Sequence, residues 1–467
     1  MIERGAGLLT RLRPPPILVG AVVIGLALVV LIPAAVSSTV GTIVVFFALV
    51  LFLALVVLGF GHTSEFFVIV GVCMVPMTNL HPVDAVSFIT VADAAFAVGF
   101  GLMLPDLMRR PLHLPSIFVL GVAGVFTVAL FASMLSDDPL GSLTSLAKLL
   151  VGAFGLSILI LWWNPDRTRV VILASAYVLG NVISVANGVI KNEVARDGRR
   201  AGLAEHPNVY GLCALLACCL IPFLVMQLPR TWRWVLAGPA GAVCLYGVWS
   251  SGSRAALAAL IGVAVIYPVL ARSVPAALAL LSAIAAFLIF STQLLGVSST
   301  GNALGRLLGA GSASLSDVER EQLLHDVIDR FWNSPVIGNG MADIIAAHII
   351  YLQIAAGLGV IGLFFYLIVL ASTVRPAAVL SPPYSLLAVP ALAYVVVGFV
   401  TPLLWDRYIW TVMALALMAP RLAAAAAPVD PPAEEAPVGL HRKIGVAGPG
   451  QVSESPRRRS ERPPARA

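Results

Sequence analysis

Four arginines and one histidine stand where an apolar chain has little reason to put them. Arg199 and Arg200 open the stretch RRAGLAEHPNVYG. Arg254 lies in SSGSRAAL, where two apolar runs are joined by almost nothing. Arg320 heads REQLLHDVIDRFW, and His348 follows NGMADIIAA as the chain turns back into an apolar run. Arginine suits an anion of fixed geometry, because its planar fork donates two parallel hydrogen bonds and does not deprotonate. A neutral histidine beside such an anion can accept the proton of an attacking hydroxyl near neutral pH. Together these types point to transfer of a group away from a diphosphate, whose developing charge fixed guanidinium groups would stabilise. The chemistry asks for no cofactor, and the loops concerned hold no compact set of carboxylates or histidines at metal-ligand spacing.

Each residue also has a plainer reading, and the sequence leaves both open. Arg199 and Arg200 either bind a ligand or pair with local acids such as Glu193, Asp197 and Glu205. Arg254 either contacts a ligand or decorates a re-entry turn in which Ser253 caps the next helix. At 100° per residue, Arg320 falls near the centre of the stripe formed by Leu323, Leu324, Val327, Ile328 and Phe331. It either snorkels from there or faces a cavity in the bundle. His348 is either a base or a hydrogen-bonded structural residue, and His206 reads as local structure beside Pro207 and Asn208, which start and cap the next span.

The elements that must position these residues are membrane helices. Of the 467 residues, 59% are hydrophobic and 11% charged, and the mean hydropathy is +0.97; a soluble domain does not have this composition. Apolar runs of about 17 to 22 residues recur, each able to cross a hydrocarbon core roughly 30 Å thick. They are apolar on every face, so helices rather than barrel strands are expected. The expectation is an all-α polytopic bundle of about 12–14 spans over 17–420, including 41–60, 66–80, 385–403 and 408–420. Residues 1–16 form a cytoplasmic N-terminus. A large outer loop, 296–347, contains an amphipathic helix begun by the capping-box spacing SDVE at Ser316 to Glu319. Residues 421–467 read as a disordered basic cytoplasmic tail.

Arginines in the short loops (Arg109, Arg110, Arg167, Arg169, Arg230, Arg233, Arg272, Arg375) mark one side as cytoplasmic. The loops 191–208 and 296–347 break that pattern by carrying charge outside. The five cysteines all fall within expected spans and read as packing residues. Gly338 and Gly340 provide a tight turn ahead of His348.

RRAGLAEHPNVYG, SGSRAAL, VERE…FWNSPVIGNG and HIIYLQIAAGLGVIGL occur in the order and spacing of the O-antigen ligase and O-antigen polymerase family, which the chain resembles over about residues 195–370. The resemblance implies a metal-independent, inverting enzyme of the bacterial inner membrane. Its donor would be an undecaprenyl-diphosphate-linked glycan and its acceptor a glycan or lipid-glycan at the outer face. Besides these and membrane lipids no further partner is implied, and nucleic acid is not one. Carried over position by position, Arg199 (or its neighbour Arg200) and Arg320 bind diphosphate, and His348 is the general base. The chain departs from the family at Ile349 and Gly357, where asparagine and an acid are usual. Ligase and polymerase differ only in acceptor. The competing class is a lipid-linked oligosaccharide flippase, which should show broken spans in corresponding halves and ionisable groups near the midplane; Lys148 is the residue that fits it.

Overall fold

The computed structural model describes residues 39–81, 89–192, 194, 198–229, 231, 233, 237–271, 274–295, 301–307, 314–342 and 348–427. The expected first span near 17–36 and almost all of the tail lie outside them, as do some helical side chains, Arg320 among them. Among the described residues every regular element is helical.

In chain order, α1 is Thr39–Met74, α2 Val91–Leu107, α3 Ser116–Met134, α4 Pro139–Trp163, α5 Arg167–Ile190 and α6 Pro207–Gln227. Then come α7 Gly238–Ser250, α8 Arg254–Ala271, α9 Val274–Leu295, α10 Ala303–Leu307, α11 Ser314–Asn333 and α12 Ile350–Val379. Tyr384–Val397 forms α13, which opens as a 3-10 turn, and Arg407–Ala426 forms α14. Six of these helices, α3, α4, α5, α6, α12 and α14, are long and apolar enough to cross a membrane. The chain is a multi-pass membrane protein. Exposed side chains such as Leu53, Val57, Phe131, Val151, Phe290 and Phe364 form the surface such a bundle offers to lipid.

Burial ranks the helices. In α6 and α14, 67% of the apolar window is buried, against 33% in α3, so the first two are central and α3 is peripheral. Every residue from Tyr408 to Ala419 on α14 is buried. Lipid tails are as apolar as leucine, so helices in a bilayer associate through close packing rather than hydrophobic expulsion. Glycines supply that closeness: a Cβ on Gly121 of α3 would lie 2.9 Å from the Val369 backbone nitrogen on α12, and one on Gly180 of α5 would lie 1.8 Å from the Cys73 carbonyl oxygen. Phe154, in a π-helical turn of α4 over Leu150–Gly155, sits edge-on to Trp410 of α14.

Several boundaries differ from those read off the sequence. The expected spans 41–60 and 66–80 are one helical run kinked at Gly59. The expected span 385–403 ends at Val397; Gly398 to Asp406 form a non-helical wall, held by bonds from Tyr394 Oη to the Leu403 carbonyl (2.6 Å) and from Trp410 Nε1 to the Leu404 carbonyl (2.8 Å). The amphipathic helix starts at Ser314, so Ser316 lies inside it rather than capping it. α14 runs past Arg421 to Ala426, because the alanines that follow favour helix.

The helix α12 breaks at Gly359 (φ 67°), and the approach to it from α11 fills the break. The amides of Asn339 and Gly340 donate to the carbonyls of Ala356 (3.1 Å) and Gly357 (2.9 Å), and the Val360 amide donates to the Pro335 carbonyl (2.8 Å). Gly338 and Gly340 have φ of 87° and 88°, the left-handed turn expected of them. The Met341 amide then donates to Ser142 Oγ (2.6 Å) at the start of α4. Val327 of α11 buries itself against Ala356 of α12 beside Phe331 and Leu352, so the amphipathic helix packs on the bundle.

Candidate functional site

In the stretch RRAGLAEHPNVYG, Arg199 to His206 fold as a loop and Pro207 to Gly211 open α6. Asn79 donates its amide to the Leu203 carbonyl (3.0 Å), Leu203 donates its own to Ser184 Oγ (3.0 Å), and the Glu205 amide donates to Thr78 Oγ1 (2.9 Å). His206, not Asn208 as expected, is the N-cap of α6, its Nδ1 accepting from the Asn208 amide at 3.1 Å, with Pro207 in the first turn, where a missing N–H costs nothing.

Arg199 is 7% exposed and held from two sides. Its Nε donates to the Ser251 carbonyl at 2.8 Å, and a terminal nitrogen donates to Asn208 Oδ1. The Ser251 carbonyl is presented by the α7–α8 hairpin, whose turn requires Gly252. That residue has φ of 63°, and a Cβ there would sit 2.8 Å from Arg199 Cγ and 3.0 Å from the Gly301 carbonyl oxygen. Ser253 caps α8 by accepting from the Ala256 amide (3.3 Å), which sets Arg254 at the helix start. On the other side, Asn302 caps the short α10, accepting from the Gly305 amide at 2.6 Å, and so orients Arg306.

These pieces enclose a cavity of about 540 Å³ lined by Arg199, Arg254 and Arg306, by His206 and His348, and by the wall from Val400 to Leu403. His348 is placed where α12 begins, with the Ile350 amide bonded to the Gly398 carbonyl (2.9 Å) and Tyr351 Oη to the Val395 carbonyl (2.7 Å). Among the described residues no carboxylate lines this cavity. The buried hydroxyl of Thr401, on the wall, has no hydrogen-bond partner among them either. A buried polar group without a partner is costly unless a ligand or water completes it.

Of the residues singled out by sequence, Arg199, Arg254 and His348 come together here. Arg200 does not: it turns away, one terminal nitrogen donating to the Gly188 carbonyl and the other to Asn192 Oδ1 at 2.9 Å, which fastens the loop to the end of α5. The Arg320 side chain lies outside the described residues. Two members went unnoticed in the sequence. Arg306 sits in a five-residue helix with no periodicity to advertise it, and the signals that could have marked it are its charge in the outer loop 296–347 and the Asn302 cap. Thr401 fell inside an expected span. His206 is both local structure, as read, and a lining residue.

A second polar recess adjoins the first across Val209 and contains Glu205, Asp406 and Arg407. Desolvation pushes the Asp406 carboxyl up to about 7, against the pull of Arg407 and of its own backbone hydrogen bond. Arg407 also pairs with Asp93, whose carboxylate closes a capping box with Thr90 at the start of α2. Among the described residues no three His, Cys, Asp or Glu side chains gather as a metal-ligand set. No protein-family model matches the chain, and no curated protein does.

Proposed function

We propose that the protein is a membrane glycosyltransferase that moves a glycan from a polyprenyl-diphosphate carrier to a glycan or lipid-glycan acceptor at the outer face of the membrane. One arrangement carries the reading: three arginines and His348, contributed by four separate loops or helix starts, line a single cavity without a described carboxylate. Such a cavity favours a multiply charged anion in a setting of reduced dielectric. In this reading Arg199, Arg254 and Arg306 hold the diphosphate and stabilise it as it leaves with the bonding electrons of the anomeric C–O bond. His348 takes the proton of the acceptor hydroxyl as that oxygen attacks the anomeric carbon. The resemblance to the O-antigen ligase and polymerase family points the same way.

A flippase would bind the same donor without chemistry. Lys148, the residue that fitted a transport path, is exposed on the side of α4 rather than lining a described cavity. The break in α12 is filled by chain. The deciding experiment uses purified protein and a polyprenyl-diphosphate glycan: His348→Ala should bind the donor as the parent does yet transfer nothing. Normal turnover by that variant would remove His348 from the chemistry, and donor movement across liposomes without transfer would favour the flippase.

A further inference from the structure

A second cavity, of about 640 Å³, lies where α12 ends, about 25 residues beyond His348, which stands where it begins. It is built from the start of α3, the last turns of α12 and the end of α14. Arg375 and Arg421 both line it, are exposed, and have no hydrogen-bond or ion-pair partner among the described residues. Several arginines at this end are engaged, Arg109 with Asp106, Arg167 with Gln227, and Arg169 with Glu65 and Asp166, while Arg110, exposed as well, lies outside the cavity. Arg375 and Arg421 are set apart by lining one cavity together.

A second feature points to an anion. The cavity includes Ser116 and Ile117, the first turn of α3, whose N-cap is Pro115 with no side-chain cap. Uncapped first-turn amides and the positive end of a helix dipole attract negative charge. Apart from His113 and Ser372 the remaining wall is apolar, with Leu161 and Leu417 among its residues. An inorganic anion has no use for that surface, whereas an acyl chain does.

We infer that this cavity binds one anionic phospholipid, its phosphate held by Arg375, Arg421 and the α3 amides and an acyl chain laid along Ile117, Leu161 and Leu417. The site is independent of the chemistry at the other end. The test is native mass spectrometry of the full chain in detergent, titrated with phosphatidylglycerol or phosphatidylcholine. The parent should retain one phosphatidylglycerol in preference to phosphatidylcholine. Each Arg→Gln change should weaken retention about fivefold and the pair about thirtyfold, while Arg375→Lys/Arg421→Lys keeps the preference. Arg109→Gln/Arg110→Gln, at the same end but outside the cavity, should leave retention unchanged. Equal retention of phosphatidylcholine, equal loss in the Arg109/Arg110 control, or full competition by inorganic phosphate would each overturn the assignment.

Discussion

Arg199 and Arg200 are neighbours in sequence with separate tasks. Arg199 is packed under the α7–α8 turn with its guanidinium at the cavity, while Arg200 ties the loop to the end of α5. Substitution should separate them: Arg199→Ala should abolish donor binding, whereas Arg200→Ala should lower thermal stability before it affects affinity, as a donor titration alongside a melting curve would record. Arg306→Ala should slow transfer about a hundredfold if its guanidinium meets the departing charge. Gly252→Ala should cost about 1–3 kcal/mol of stability through its left-handed backbone alone, and the contact with Arg199 should add a fall in donor affinity. Residue type was the legible part here. Arginine and histidine in an apolar chain announce themselves, but which of two adjacent arginines faces the cavity depends on a turn 52 residues away, and no local pattern encodes that.

At the scale of elements, the sequence showed that helices exist better than where they stop. Apolar runs cannot distinguish a span from a span followed by an apolar loop, so Val400 to Leu403 read as helix although Gly398 and Pro402 let the chain leave it. The turn at Gly338 and Gly340 was legible from composition, yet its task of satisfying the broken backbone of α12 was not, since that requires two segments to meet. Gly340→Ala, whose Cβ would lie 2.6 Å from that of Ser136, should loosen this junction and speed amide exchange at Asn339 and Gly340. Asp406 precedes α14, and its carboxyl titrates near 7 against an ordinary value of 3.8. The folded chain therefore keeps this proton where the unfolded chain has lost it, so this group's contribution to stability is full at low pH and declines as pH rises from about 4 to about 7. Asp406→Asn should flatten that part of a melting-temperature profile.

For the whole molecule, composition sufficed for class: a chain with so few charges folds as a membrane bundle, and the described helices agree. Which helices lie at the centre was hidden, because helices surrounded by lipid and helices surrounded by protein are both apolar on all sides. Small residues are the better guide. Gly121→Leu should undock α3 from α12 and lower the unfolding temperature in detergent, whereas an exposed position such as Leu120 should tolerate polar-neutral change in size. The bonds around Arg199 also have a thermodynamic consequence. Its side chain is ordered by folding, through the Ser251 carbonyl and Asn208, before any ligand arrives. A long flexible side chain normally surrenders rotamer freedom when it grips a ligand; here that loss belongs to the folding equilibrium, and the affinity of the cavity for an anion should be correspondingly insensitive to it.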